Sequence, residues 1–197
     1  MRPVWDLLPS DIDELGYERD ASHLFGRFQR VSTWRDGPDL ARRGRAFVHA
    51  HSLDVRLPEV ASETVSRDGS TRLVLSLPDR TLEGEGASDR IEAVHMPRSL
   101  VPSPLGVARE RVTMCLSTQV GCAMGCTFCR TATMGLSRHL AAHEIIGQLL
   151  LLMHRYGPRS SEQLNIVFMG MGEPLHNVDA LIRTLDVICH PAGLGVA

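Results

Sequence analysis

Lysine is absent: all 21 basic residues of the 197-residue sequence are arginine. Guanidinium suits phosphate recognition, yet a genome that favours Arg codons explains the bias more simply. With 23 acidic residues the net charge is −2, which neither proposes a polyanionic partner nor excludes one. Long apolar runs are missing too. No stretch approaches the roughly 20 apolar residues of a membrane span, and the opening MRPVWDLLPSDIDELGYERD is acidic where a secretory signal is basic and then apolar. These absences predict a cytoplasmic protein with no membrane partner. At 43% hydrophobic and 22% charged, the chain is long enough for a soluble core, as one domain or one plus a small appendage. Internal repeats and low-complexity tracts are absent.

Cysteine is scarce, with five in all, but Cys122, Cys126 and Cys129 crowd one short segment. Disulfide frameworks belong to oxidising compartments and spread their cysteines, so this clustering points to metal or redox chemistry.

Along the chain, DIDELGYERDASHLFGRFQRV and PDLARRGRAFVHAHSL carry short helical patterns. STRLVLSLPD alternates apolar and polar positions, RIEAVHM is a second compact apolar run, and SRDGS carries the Asp-Gly signature of a turn. A small sheet is predicted between about Thr71 and Met96. PRSLVPSPLGVARER reads as a linker. From Arg111 the order is strand RVTMCLS, Gly/Cys loop, helix AAHEIIGQLLLLMHRYG, buried strand LNIVFMG, loop, helix VDALIRTLDVICH. That alternation predicts parallel strands with right-handed crossovers, as in a barrel or doubly wound sheet. The expected division is an accessory α+β region over 1–105 and an α/β core over 106–197.

The C-x3-C-x2-C spacing of Cys122, Cys126 and Cys129 follows the first core strand. Three thiolates can ligate three irons of a 4Fe-4S cluster and leave the fourth open to an external chelator. Zinc is the alternative, with His139 or His143 as a further ligand; three buried reduced thiols are another. A second constellation, Gly170-Met171-Gly172-Glu173-Pro174, follows the apolar strand LNIVF. Ligands in parallel α/β folds bind at the carboxyl ends of strands, so both loops should face one site. Alone, that second loop is equally a tight turn.

At these residues the chain resembles radical S-adenosylmethionine (SAM) enzymes, and more narrowly the family that methylates carbon-2 or carbon-8 of adenosine in ribosomal RNA, some members also acting on transfer RNA. The resemblance rests on Cys115-Leu-Ser-Thr-Gln-Val-Gly-Cys122-Ala-Met-Gly-Cys126-Thr-Phe-Cys129, His143-Glu-Ile-Ile-Gly-Gln148 and Asn165-Ile-Val-Phe-Met-Gly-Met-Gly-Glu-Pro174. It implies that Cys122, Cys126 and Cys129 hold the cluster, that SAM chelates the open iron, and that Gly172 and Glu173 contact its methionyl moiety. Cys115 matches a cysteine that resolves the covalent RNA intermediate and can form a transient disulfide bond; otherwise it is a small apolar strand residue. Glu92 matches the family's proton acceptor, although Arg98 to Glu110 lengthen the link to Cys115; otherwise it is a surface glutamate. The resemblance further implies RNA as partner, an electron donor such as flavodoxin, a 5'-deoxyadenosyl radical, and a methyl carried on a second cysteine near the family's C-terminus. Cys189 precedes the expected place of that cysteine and reads as a buried helix residue.

The sequence thus looks like a truncated member: an accessory region, in which Trp34-Arg35 faintly matches the family's RNA-engaging helical domain, and the first two βα units of a partial (β/α)6 barrel. Three functions stay open: this RNA methyltransferase, a radical SAM enzyme with another substrate, or an inactive fragment that binds a cluster or zinc.

Overall fold

The computed structural model describes residues 2–17, 20–30, 40–77, 89–101, 109–157 and 163–196; Trp34 and Arg35 lie outside them. Strand β1 (Arg2–Pro3) pairs in parallel with β2 (Leu53–Asp54), and between them run α1 (Pro9–Glu14), α2 (Ala21–Gln29) and α3 (Arg42–Ala50). Local chemistry sets the helix starts: Pro9 opens α1, and the Asp20 carboxylate accepts the His23 N–H at 3.1 Å to cap α2. Trp5, Leu7, Ile12, Phe25 and Phe28 are buried beneath these helices, each contributing about 1.5–3 kcal/mol of apolar burial.

The main sheet has five strands: β3 (Glu59–Val65), β4 (Thr71–Ser76), β5 (Arg90–Val101), β6 (Arg109–Cys115) and β9 (Gln163–Val167), in the order β3-β4-β5-β6-β9. The first three junctions are antiparallel, while β6 and β9 are parallel. That parallel step is made by α4 (Ala142–Tyr156), and α5 (Val178–Ile188) follows β9. A separate hairpin, β7 (Gln119–Gly121) with β8 (Leu136–His139), flanks the cysteine loop. The predicted strand–helix alternation after Arg111 is present, and the architecture is mixed α/β. Among the described residues no helix is long and apolar enough to cross a membrane.

Four expectations need correction. Strand β3 was not foreseen, because EVASETV is almost wholly exposed and shows no apolar alternation; the turn at Ser66–Ser70, with Gly69 at φ +83°, folds it onto β4. The stretch read as a linker is partly strand. Strand β5 continues through Pro97 to Val101, with the register shift between Met96 and Ser99 absorbing the proline, and β6 starts at Arg109. The third concerns LNIVF, which is half-buried rather than buried, since β9 ends the strand order. Cys189 is exposed: it caps α5 on the side away from Thr184, Val187 and Ile188, the helix's buried residues.

The N-terminal helices are fastened to the core through α5. The Arg183 guanidinium donates to the Asp6 carbonyl at 2.9 Å and pairs with the Asp11 carboxylate, while the Phe25 ring meets His190 edge-on at 5.1 Å.

Candidate functional site

The two faces of the main sheet differ in chemistry. Thr71, Leu73, Leu75, Ile91, Ala93, Val112 and Met114 are buried on one face, the side covered by α4. Strand alternation puts Glu92, Val94, Thr113, Cys115, Asn165 and Val167 on the other. Register makes them neighbours: Val94 and Val167 lie opposite Cys115, and Asn165 opposite Thr113. Glu92 and Cys115 therefore share one face of adjacent strands. Glu92 carries an exposed ion pair with Arg72 at 2.9 Å, which solvent screens heavily.

Both motif loops leave the carboxyl ends of the parallel pair. The segment after β6 is polar yet fully buried, with Ser117, Thr118 and Gln119 each 0–1% exposed; the Thr118 hydroxyl has no partner among the described residues, while hydrogen bonds account for the burial of Ser117 and Gln119. Ser117 N–H donates to Gln148 Oε1 at 2.9 Å, and Gln148 Nε2 returns a bond to the Ser117 carbonyl at 3.0 Å. Ser117 Oγ donates to the Glu92 carbonyl at 2.6 Å and accepts from Met171 N–H at 2.8 Å. Gln119 Oε1 accepts from Glu173 N–H at 2.9 Å. Asn177 Nδ2 donates to the carbonyls of Thr118 and Leu140 at 2.9 and 2.8 Å. These side chains fix the Gly170–Pro174 turn, the β7–β8 hairpin and β5 against one another. Sequence reasoning gave Ser117, Gln119, Gln148 and Asn177 no role; polar residues running straight on from an apolar strand into a cysteine motif were the available signal.

Glycine is required where the loops touch. Gly172 has φ +100°, and a Cβ there would lie 2.6 Å from the Gln119 Cβ. Glu173 Oε1 accepts from Leu175 N–H at 3.0 Å, which opens the short 3-10 turn Pro174–His176.

The β7–β8 hairpin presents Cys122 (buried), Cys126 (exposed) and Cys129 (half-buried); all five cysteines are free thiols. The Ala132 backbone N–H holds the Cys129 thiol below its ordinary range against an opposing desolvation, with smaller help from the Thr131 backbone and hydroxyl. Burial pushes the Cys115 thiol up, only partly offset by the Met169 backbone. In cluster-free protein at about pH 8, iodoacetamide is expected to label Cys115 at least about tenfold more slowly than Cys129. Peptide mass spectrometry over a time course checks this, and equal rates would contradict it.

Three thiols on one loop are a donor set of the kind that a 4Fe-4S cluster takes. Among the described residues no three His, Cys, Asp or Glu side chains converge where one ion could be held. Of the two histidines that could complete a zinc site, His139 faces Gln119 Nε2 through Nδ1 at 3.0 Å, and His143 Nδ1 lies 3.6 Å from Asp6. A cluster asks each thiolate to meet a different iron, which a loop open at Gly125 (φ +67°) and Gly135 (φ +68°) allows.

Beneath the hairpin, Glu144 caps α4 by accepting Ala141 N–H at 2.8 Å and takes both arms of Arg138 at 2.8 Å each. Burial opposes its charge, but the Arg138 bonds and the Ala141 N–H outweigh it and hold the carboxyl below its ordinary range.

No family model matches the chain. It is 35% identical over 191 residues to the dual-specificity RNA methyltransferase RlmN of Xanthomonas campestris, covering 94% of this chain and 43% of that protein. To the RlmN of Lawsonia intracellularis it is 43% identical over 159 residues, 79% of this chain and 40% of that protein. The chain thus spans about two-fifths of the length of these curated relatives. Among solved structures, a radical SAM methyltransferase from Sphaerobacter thermophilus superposes on the whole chain and 55% of its own, with a TM-score of 0.75 and 28% identity. The chain is similar to RlmN sequences along most of its length and to a radical SAM methyltransferase along all of it.

Proposed function

We propose that this chain supplies the cluster-and-SAM end of a radical SAM methyltransferase acting on an adenosine of ribosomal, and in some settings transfer, RNA. One observation carries the reading: Gln119, from the strand leading into the cysteine loop, holds the Glu173 backbone at 2.9 Å, so the cysteines and the Gly172–Glu173 turn belong to one site. Cys122, Cys126 and Cys129 would hold the 4Fe-4S cluster. Gly172 and Glu173 would receive the amino-acid end of SAM. Cluster and SAM together supply the radical chemistry that an unactivated adenine carbon requires. Glu92 would take the proton from the methylated carbon, and Cys115, held as a neutral thiol by burial, would release the covalent RNA intermediate. A donor of the flavodoxin type would reduce the cluster.

The β6-α4-β9-α5 order is that of the first two βα units of a partial (β/α)6 barrel, whose interior would be the face bearing Glu92, Cys115 and Asn165. In this reading residues 1–105 form the accessory region and 106–197 the core. Cys189, on an exposed helix end, has no role in this reading.

The test is electron paramagnetic resonance of the anaerobically reconstituted, reduced protein with and without SAM. A reduced 4Fe-4S signal that changes on adding SAM is the expected result. A silent sample, or one indifferent to SAM, would overturn the reading.

A further inference from the structure

Gln119 is fully buried, and the atoms around it leave its amide one orientation. Glu173 N–H can only donate, so the amide atom facing it at 2.9 Å must be Oε1. The Nε2 amino group then points the other way, toward two imidazoles: His139 Nδ1 at 3.0 Å and His176 Nδ1 at 3.4 Å. An amino group has two protons and no lone pair to offer, so both Nδ1 atoms must be unprotonated acceptors. The rings are set edge-to-face with centroids 5.1 Å apart. One comes from β8 behind the cysteine loop and the other from the 3-10 turn behind Glu173, so a single side chain is shared by both walls of the site.

We infer that Gln119 is the positioning residue of the Gly172–Glu173 turn, and that the histidine pair His139 and His176 makes its grip depend on protonation. When a ring gains a proton at Nδ1, two donors face each other. Relief comes either from the ring swinging away or from the amide turning over, and the second sets the amino group against Glu173 N–H. The turn is held while both rings are neutral and is released when either gains a proton at Nδ1.

Charged groups nearby are otherwise engaged or only adjacent. Arg138 on β8 is bound to Asp89 and Glu144, and Glu92 on β5 to Arg72. Elsewhere His95 on β5 stacks on Tyr156, Glu173 caps the 3-10 turn, and Asp179 lies in the first turn of α5. Among the described residues neither imidazole of the pair is ion-paired.

This inference rests on the reading of Gly172–Glu173 as the SAM turn, and its test separates the two. The first readout is the backbone amide NMR signal of Glu173 in the full chain without SAM, followed from about pH 7.5 to 5.5. It is expected to move in step with the ring signals of His139 and His176, and to stay put in the double variant His139→Asn/His176→Asn, where a carboxamide oxygen can replace each Nδ1 acceptor without titrating. Gln119→Glu provides a second variant: its carboxylate accepts from both Glu173 N–H and a protonated ring, so the grip should persist at the acid end. The second readout is SAM binding to the cluster-reconstituted protein by equilibrium dialysis. Affinity should fall about tenfold at the acid end in the unmodified protein and less than about twofold in the double variant. A Glu173 amide that ignores the imidazoles, or equal pH profiles with and without the two histidines, would overturn the inference. An amide that follows the imidazoles in a protein binding no SAM at either pH would leave the switch standing and remove the SAM reading of the turn.

Discussion

Gly121→Ala is expected to cost about 3 kcal/mol or more and to strip the protein of its capacity to take up iron. Gly121 has φ +76°, and a Cβ built on it would lie 1.9 Å from the Gly135 carbonyl oxygen and 3.0 Å from that carbonyl's carbon. The left-handed conformation alone costs a non-glycine residue about 1–2 kcal/mol. The overlap cannot be relieved by a rotamer, because the obstructing atoms are backbone. Moving them breaks the bond from Cys122 N–H to Gly135 O, 2.9 Å long, which is worth about another 1 kcal/mol. For a chain of this size the total lowers Tm by about 6–12 °C. Denaturant titration and iron content after reconstitution measure both effects, and a loss under about 1 kcal/mol would mean that the hairpin adapts.

Glu144→Gln comes next, at about 2–3 kcal/mol. The substitution keeps the shape and turns one oxygen into an amino group that faces the Arg138 guanidinium in either orientation, and Ala141 N–H as well in one of them, donor against donor. Losing one partner of a buried ion pair costs about 3–5 kcal/mol; the figure here is lower because Arg138 is 23% exposed and keeps Asp89. The Glu144 carboxyl titrates below its ordinary range, so its contribution is complete above about pH 5 and is lost as pH falls through its folded value. The stability gap between the native protein and the variant should therefore be wide at about pH 6 and narrow toward about pH 3. A gap independent of pH would show that the carboxylate's charge does not matter.

The alternation of β6, α4, β9 and α5 was legible because each strand is a short apolar run closed by a glycine-rich loop, and each helix has its own apolar face. The cysteine loop and the Gly172–Glu173 turn could be put at one end of the sheet from topology alone. Strand β3 was not legible, since its residues point to solvent and only pairing with β4 makes it a strand. Pro97 was read as punctuation because a proline seems to end a run, whereas a register shift lets the strand carry it. Gln119, Ser117 and Gln148 were hidden for another reason. A buried amide or hydroxyl has no sequence period, and its role exists only once segments far apart in the chain have met.

The two margins of the main sheet are not equivalent. Strand β3 is irregular, with a register shift between Val60 and Ser62, and carries Glu59 and Glu63; the latter also accepts from Arg155 at 3.1 Å and Tyr156 at 2.8 Å. Such an edge repels further strands. Strand β9, QLNIV, has no charged residue and is half-buried, and among the described residues it pairs only with β6. Its outer row of backbone donors and acceptors is a template for another strand. Growth of this sheet is therefore one-directional, and whatever strand is added settles beside the Gly170–Pro174 turn. At high concentration the same template offers itself to neighbouring molecules, so the chain's tendency to self-associate should follow substitutions in β9 and ignore those in β3.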